Sequence, residues 1–136
     1  MILFQVDSVE MPDIDEKKVA SWLKNVASTY HRRVGELCYR FCNDEVILEC
    51  NRQFLNHDYY TDIITFDYSE GRTISGDMLI SLDTVRSNAE KLGIDYDREL
   101  LRVIVHGVLH LCGLHDKGPG EREEMELAED KALSML

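Results

Sequence analysis

The sequence predicts one α+β domain over residues 1–136, in which about five helices pack on a mixed four-stranded sheet. The chain weighs 15.7 kDa and is 44% hydrophobic, which is typical of one globular domain. Segments with strand and helix periodicity follow one another as β-α-β-α-β-β-α-α-α, an order that mixes hairpin and crossover connections. One helix is apolar on nearly every face, which predicts a buried central helix.

The first half of the chain predicts two strands and two helices. Residues 2–7 form a short apolar strand, and residues 36–42 alternate polar and apolar side chains as a half-buried strand does. Between them, a helix follows a candidate N-cap at Asp13, with Glu16 three residues later as in a capping box. Asn43 is a candidate cap for the second helix. The apolar side chains at helical spacing are Val19, Trp22, Leu23, Val26 and Tyr30 in the first helix and Val46, Ile47, Cys50, Phe54 and Leu55 in the second.

A β-hairpin and a third helix are predicted next. Residues 60–68 and 73–82 are rich in β-branched and aromatic residues and flank a four-residue turn. Gly76 interrupts the return strand, which indicates a bulge or the close approach of another backbone. Asp83 is the candidate N-cap of the third helix, and Gly93 is its predicted stop.

Two more helices complete the domain. The fourth begins near Asp95–Asp97 and is apolar on nearly every face from residue 100 to 112, until Gly113 ends it. The last helix covers residues 121–136, and its Glu-rich face is expected to lie in solvent. Its predicted inward residues are Met125, Ala128, Ala132 and Leu136.

Charge and cysteine content limit the class of function. With 15 Lys and Arg against 26 Asp and Glu, the net charge of −11 argues against binding nucleic acid by bulk electrostatics. Local cations such as Arg40 or Arg72 can still form a small basic site. No stretch approaches the roughly 18–20 apolar residues of a membrane span, and no signal peptide is recognisable. We therefore expect a cytoplasmic protein whose four cysteines are free thiols.

The central helix carries a metal-binding pattern. His106 and His110 are four residues apart, so both imidazoles leave one helix face and can reach one ion at about 2.0–2.1 Å. Gly113 turns the chain back, so His115 or Asp116 can lie beside them. Three protein ligands and one open position are typical of a catalytic zinc site. Exposed histidine pairs are usually solvated, but in so apolar a helix each buried ring nitrogen needs a partner.

The residue after the first histidine argues against a peptidase. In H-E-x-x-H metalloproteases that residue is the glutamate that serves as general base. Gly107 can do no proton chemistry, so we assign no protein general base. The hydrolytic water would be activated by the metal or by a base from elsewhere in the chain. Gly107 is instead expected to allow the close approach of another backbone.

Three short motifs occur in order along the chain. Residues 61–66 read TDIITF, residues 76–81 read GDMLIS, and residues 106–113 read HGVLHLCG. They resemble the T-D-V-L-S-F strand, the G-D-I-x-I-S strand and the H-G-x-L-H-L-x-G signature of the YbeY family of bacterial endoribonucleases. The resemblance covers most of residues 45–136. It implies a zinc-dependent hydrolase that cuts single-stranded rRNA precursor in 16S 3′-end maturation, with the small ribosomal subunit as partner.

The chain departs from the family pattern in the metal-binding loop. The family motif ends in G-Y-D-H, with the last histidine as third ligand, whereas residues 113–116 here read GLHD. Register places Asp116 at the ligand position, and His115 is the second choice. A carboxylate is an acceptable zinc ligand, although two histidines and a carboxylate also suit ferrous iron. The ligand set implied for one zinc ion is His106, His110 and Asp116.

A second departure concerns the RNA phosphate. The family carries an arginine just before the T-D strand, where this chain has NHDYY at residues 56–60. His57 is a candidate phosphate donor, and Tyr59 and Tyr60 are candidates for stacking on bases. Arg52, on the preceding helix, is not given the arginine's role.

Two hypotheses follow for the whole protein. In the leading one, the metal activates water for phosphodiester cleavage, and Asp62 or Asp77 either orients the histidines or satisfies turn and strand-end amides. In the alternative, the protein is a non-catalytic ribosome-assembly factor in which the metal only holds the loop after Gly113. The acidic charge and the missing arginine favour the alternative modestly.

Overall fold

The computed structural model describes residues 1–55 and 61–136, and within them it confirms the predicted α+β class. Four strands and five α-helices follow in the predicted order, and a short π-helical segment, Asn51–Leu55, continues the second helix. Tyr60, the start of the predicted hairpin, lies outside the described residues. The elements are β1 (Ile2–Val6), α1 (Glu16–Thr29), β2 (Arg33–Cys42), α2 (Asp44–Cys50), β3 (Ile63–Asp67), β4 (Thr73–Ser81), α3 (Leu82–Leu92), α4 (Tyr96–Leu111) and α5 (Glu121–Leu133).

The sheet is mixed and has the strand order β1-β2-β4-β3. Strands β1, β2 and β4 are parallel, and β3 pairs antiparallel with β4 as the predicted hairpin. The register of β2 slips between Val34 and Leu37, opposite Gly76 of β4. A Cβ atom on Gly76 would lie 2.5 Å from the carbonyl oxygen of Phe66, so the predicted close backbone approach is confirmed.

Helix α4 lies at the centre of the core. It packs against α1, α3 and α5 and against the β3–β4 hairpin. Tyr39 of β2 is fully buried, and its hydroxyl donates to the Ile104 carbonyl at 2.6 Å. This hydrogen bond links β2 to α4. This packing confirms the predicted buried central helix. That the helix binds a metal stays a prediction. Its buried residues are Glu99, Leu100, Val103, Ile104, Val105, Gly107, Val108, Leu109 and Leu111.

The helix starts differ from the predicted caps. Asp15 rather than Asp13 caps α1, because its carboxylate accepts from the backbone N–H three residues on, at 3.2 Å. Ser81 rather than Asp83 caps α3. The Asp83 carboxylate instead accepts from the Asp44 backbone N–H at 3.0 Å and so links α3 to α2. Short polar residues compete for each helix start, and tertiary position decides which one caps it.

The last helix also differs from its predicted pattern. Helix α5 ends at Leu133, and Leu136 is 46% exposed rather than inward. Met125 and Ala132 are buried as expected. Glu129 is only 3% exposed, so the prediction that the glutamates of this helix form a solvated face is wrong at this residue.

The remaining local predictions concern turns and thiols. Gly93 and Gly113 take positive φ values of 68° and 103°, as expected for glycines that end helices. All four cysteines are free, with Cys42 and Cys112 buried. No helix among the described residues is long and apolar enough to cross a membrane.

Candidate metal centre

The end of α4 and the loop after it bring the predicted site residues to one cleft. His106 and His110 leave α4 one turn apart, and Gly113, at φ 103°, reverses the chain so that Asp116 returns beside them. The Asp116 Oδ2 atom lies 3.6 Å from the His106 Nε2 atom. His106, His110 and Asp116 all line a cleft of about 260 Å³.

His115, the alternative third ligand, contacts His110 but does not line this cleft. Their ring centroids are 6.1 Å apart in an edge-to-face arrangement. His115 is exposed, whereas Asp116 is half-buried and faces His106. Over residues 1–55 and 61–136, no three His, Cys, Asp or Glu side chains are already grouped closely enough to hold an ion. The side chains of the predicted set would therefore have to close further around a metal.

The donor set nevertheless fits a divalent metal. Two ligand atoms bound tetrahedrally at about 2.0–2.1 Å lie roughly 3.4 Å apart, close to the separation between His106 Nε2 and Asp116 Oδ2. Two imidazoles and one carboxylate are ligand types that would hold such an ion, and all three residues line the same solvent-accessible cleft. The Asp116 side chain is 37% exposed and the His106 side chain 21%, so a hydrated ion has access to both.

The surroundings shift the pKa values of the two imidazoles in opposite directions. Burial lowers the pKa of His106, but the hydrogen bond and charge of Glu129, together with Asp116 and Asp62, raise it overall. For His110, burial and the charges of His106 and His115 lower the pKa. His110 is therefore neutral more readily than His106, and a neutral imidazole is the form that binds metal.

Of the two aspartates considered as orienting residues, the structure brings only one to the site. Asp62 precedes β3, lines the cleft beside His106, and is half-buried. Burial raises the pKa of its carboxyl group, against the lowering effect of the His106 charge. Asp77 lies exposed on β4, where its charge acts on the Cys38 thiol. Asp77 therefore has no part in the cleft.

Sequence reasoning missed a chain of hydrogen-bonded charged residues behind His106, of which the two glutamates are buried. The Glu129 Oε2 atom lies 2.7 Å from His106 Nδ1, and the Glu129 Oε1 atom accepts from Arg102 at 2.8 Å. Arg102 in turn donates to both carboxylate oxygens of Glu99, at 2.8 and 2.9 Å. A signal was available for Glu129, because it falls four residues after Met125 on the buried face of α5.

A second, larger cleft adjoins the first. It encloses about 380 Å³ between α3, α4 and α5, and both clefts are lined by Asp62, His106 and Asp116. Together they form a groove that crosses the predicted site, and we call it the site groove. Its wall also contains buried Asn51. The cations that line the groove are Lys91, Arg102, Lys117 and Arg122.

The groove cations are not the ones that the sequence singled out. Arg40 lies in a separate groove with Glu45 and Phe54 and is 3.4 Å from Gln5. Arg72 belongs to the β3–β4 turn. Arg52 of the π-helical segment is 3.9 Å from Glu49.

Two further sequence predictions concern RNA contacts and the role of Gly107. His57, Tyr59 and Tyr60 lie outside the described residues, so their suggested RNA contacts stay predictions. For Gly107, the expected close approach is present but involves side chains rather than a backbone. A Cβ atom there would lie 3.0 Å from Met78 Cγ and 3.3 Å from Ile63 Cδ1, so Gly107 lets α4 pack directly on the hairpin.

Comparison with known proteins agrees with this architecture. The family model described as Endoribonuclease YbeY matches residues 4–136. The chain belongs to the YbeY family. A relative from Phocaeicola vulgatus named Endoribonuclease YbeY is 65% identical over 136 residues, covering 100% of this chain and 99% of that one. One from Bacteroides thetaiotaomicron with the same name is 62% identical, covering 98% of each chain.

A solved structure shows the same fold at lower sequence identity. The solution structure of a protein from Thermotoga maritima superimposes with a TM-score of 0.63 and is 22% identical, covering 98% of this chain and 90% of that one. The family match covers residues 4–136 and so includes the residues that line the site groove.

Proposed function

We propose that this YbeY-family chain is a zinc-dependent endoribonuclease that cuts single-stranded rRNA precursor in the cytoplasm, with the small ribosomal subunit as its partner. Relatives named Endoribonuclease YbeY, which match the chain from end to end, support the reaction class. The observation that carries the metal dependence is the approach of Asp116 Oδ2 to His106 Nε2 at 3.6 Å in the site groove. His110, on the same cleft, completes the proposed ligand set.

The division of labour follows from the residues of the groove. A bound divalent ion supplies Lewis acidity for the scissile phosphate and lowers the pKa of a bound water. His106, His110 and Asp116 hold it, with a neutral imidazole on each histidine. Gly107 excludes an H-E-x-x-H mechanism, because it has no proton-transferring group where those enzymes have glutamate. Met78 also packs so closely against Gly107 that a larger side chain would not fit without a shift.

RNA binding depends on few local charges. Lys91 and Arg122 line the larger cleft from α3 and α5, and Lys117 lines the smaller one from the metal-binding loop. The acidic body of the protein, with net charge −11, opposes any broader electrostatic contact. We therefore expect weak, salt-sensitive binding to free RNA and a need for the ribosomal partner to direct cleavage. Three phosphate contacts would produce a slope of about −2 for log binding constant against log salt.

The direct experiment measures zinc content and cleavage of a single-stranded rRNA fragment by the purified chain and its variants. His110→Ala removes a proposed ligand, so this variant is expected to lose stoichiometric zinc. Its rate of RNA cleavage should fall by a factor of at least about 100. Asp116→Asn should weaken zinc binding more than His115→Ala does. His31→Ala, which changes an exposed histidine after α1, is the matched control and should change neither quantity.

Two outcomes would contradict the proposal. A wild-type protein without stoichiometric divalent metal, whose His110→Ala variant cleaves RNA as well as the parent, would exclude the metal-dependent hydrolase. A protein that loses much thermal stability when the metal is removed but never cleaves RNA would instead support the non-catalytic assembly factor. A loss of zinc on His115→Ala alone would move the third ligand from Asp116 to His115.

A further inference from the structure

Behind the proposed metal centre, three charged side chains form a hydrogen-bonded chain that ends on His106. Glu99 is fully buried, and Glu129 is 3% exposed, although α4 and α5 have many solvent-facing positions for such residues. Arg102 donates through two nitrogens to the Glu99 carboxylate and through a third, Nη1, to Glu129 Oε1. Each charge is therefore paired, and the pairing with half-buried Arg102 is what makes the burial of the two glutamates tolerable.

The geometry determines which nitrogen of His106 carries the proton. Arg102 occupies the Oε1 end of the Glu129 carboxylate, which leaves Oε2 facing His106 Nδ1 at 2.7 Å. A carboxylate oxygen only accepts hydrogen bonds, so Nδ1 must donate. In the neutral ring, Nε2 is then the nitrogen with the free lone pair, and it points toward Asp116.

We propose that Glu129 is the positioning residue for His106: it fixes the Nδ1–H tautomer and the ring orientation that present Nε2 to a metal. This inference rests on the proposed metal-dependent function. Metal-binding histidines commonly donate their second ring N–H to a carboxylate, and loss of that partner typically costs about 10–100-fold in metal affinity. Glu129 does not touch the ion or the RNA in this scheme and acts only through His106.

Arg102 turns this proposal into a prediction about one substitution, Glu129→Gln. The glutamine oxygen must face Arg102, because the guanidinium has only donors. The glutamine NH₂ group then faces His106 Nδ1 and donates to it. The ring would consequently shift to the Nε2–H tautomer, in which Nε2 has no lone pair for a metal. An almost isosteric change is thus expected to reverse the tautomer rather than simply remove a contact.

The experiment uses the full chain and two readouts. Long-range ¹H–¹⁵N NMR of the metal-free protein, at alkaline pH where the rings are neutral, reports the tautomer of His106. Competition with a chromophoric chelator measures the zinc dissociation constant. Glu124→Gln is the matched control, because Glu124 is exposed on the same helix and the charge change is identical. Thermal denaturation verifies that each variant is folded.

Wild type and Glu124→Gln are expected to show the Nδ1–H tautomer and equal zinc affinity. Glu129→Gln should show the Nε2–H tautomer and a zinc dissociation constant about 10–100-fold larger. An unchanged tautomer, or a dissociation constant within threefold of wild type, would overturn the inference. If Glu129→Gln does not fold, Glu129→Asp replaces it: the carboxylate keeps its charge for Arg102 but is drawn back from His106. Zinc affinity equal to wild type in that variant would equally overturn the inference.

The two readouts also separate this inference from the proposed function. The tautomer is measured without metal, so it tests the action of Glu129 on His106 directly. A wild-type chain that binds no zinc would refute the metal centre, whatever the tautomer. A chain that binds zinc but keeps its affinity in Glu129→Gln would refute only the positioning role.

Discussion

Glu99→Gln is the substitution whose effect on folding can be worked out most directly from the structure. Glu99 is fully buried on α4, and its two carboxylate oxygens accept from Arg102 Nε at 2.8 Å and Nη2 at 2.9 Å. This hydrogen bonding raises the pKa of the Arg102 guanidinium, although burial acts in the opposite direction. Glutamine can accept one of these bonds through its oxygen, but its NH₂ group faces a second donor.

The expected cost follows from the bond that is lost. A hydrogen bond to a charged group contributes about 1.5–3 kcal/mol. The Arg102 side chain is 28% exposed and keeps its bond to Glu129, so water and the second carboxylate offset part of the loss. We therefore expect Glu99→Gln to lower the free energy of unfolding by about 2 kcal/mol. At an m-value of about 2 kcal/mol per molar urea, the urea concentration at the unfolding midpoint would fall by about 1 M.

The chain contains its own probe for this measurement. Its single tryptophan, Trp22, is 3% exposed and donates to the Ala132 carbonyl at 2.8 Å, so its fluorescence reports the packing of α1 on α5. Asp97→Asn is the control, since Asp97 is exposed in the first turn of α4 and its loss should cost only about 0.5 kcal/mol. The reasoning would be refuted if urea titrations showed that Glu99→Gln lowers the free energy of unfolding no more than Asp97→Asn does.

Two further predictions concern packing and thiol chemistry. Gly76→Ala should lower stability by about 2–3 kcal/mol, because its Cβ would lie 2.5 Å from the Phe66 carbonyl oxygen and must push β3 away. Thermal denaturation of Gly76→Ala measures this loss, with Asp77→Ala at the exposed neighbouring residue as the control. An unfolding midpoint of Gly76→Ala equal to that of wild type would contradict the prediction. Burial raises the pKa of the Cys42 thiol to about 12 and that of Cys112 to about 11. Iodoacetamide at pH 8 should therefore modify these two thiols only in urea, as mass spectrometry would reveal, whereas rapid native labelling would exclude the buried environment.

The fold was largely readable from local patterns. Strand alternation, helical spacing and the glycine stops at Gly93 and Gly113 depend on neighbouring residues only, and they predicted the element order correctly. The errors at the helix starts lie where two neighbouring residues were equally good caps. Asp13 and Asp15, or Ser81 and Asp83, can each begin a helix, and the structure uses Asp15 and Ser81.

The candidate site divides in the same way. Spacing on α4 indicated His106 and His110 from the sequence, since residues one helical turn apart share a face. The stop at Gly113 left both His115 and Asp116 open as third ligand, and the resemblance to the YbeY motif favoured Asp116. The distance between His106 and Asp116 depends on how the loop returns over the hairpin, which no local pattern specifies. The same holds for Asp62, which reaches the cleft because β3 pairs beside β4.

By itself, the sequence determined the fold class, the YbeY-family motifs and the pair of histidines, because each depends on residues close together in the chain. Only the tertiary structure decided what stands behind and around those histidines. Glu129 lies 23 residues from His106 in sequence and 27 from Arg102, and it meets them because α5 packs along α4. A glutamate on a charged helix looks solvated in sequence. Burial between two helices, beside an arginine with only donors, makes the same residue an acceptor fixed on one imidazole nitrogen.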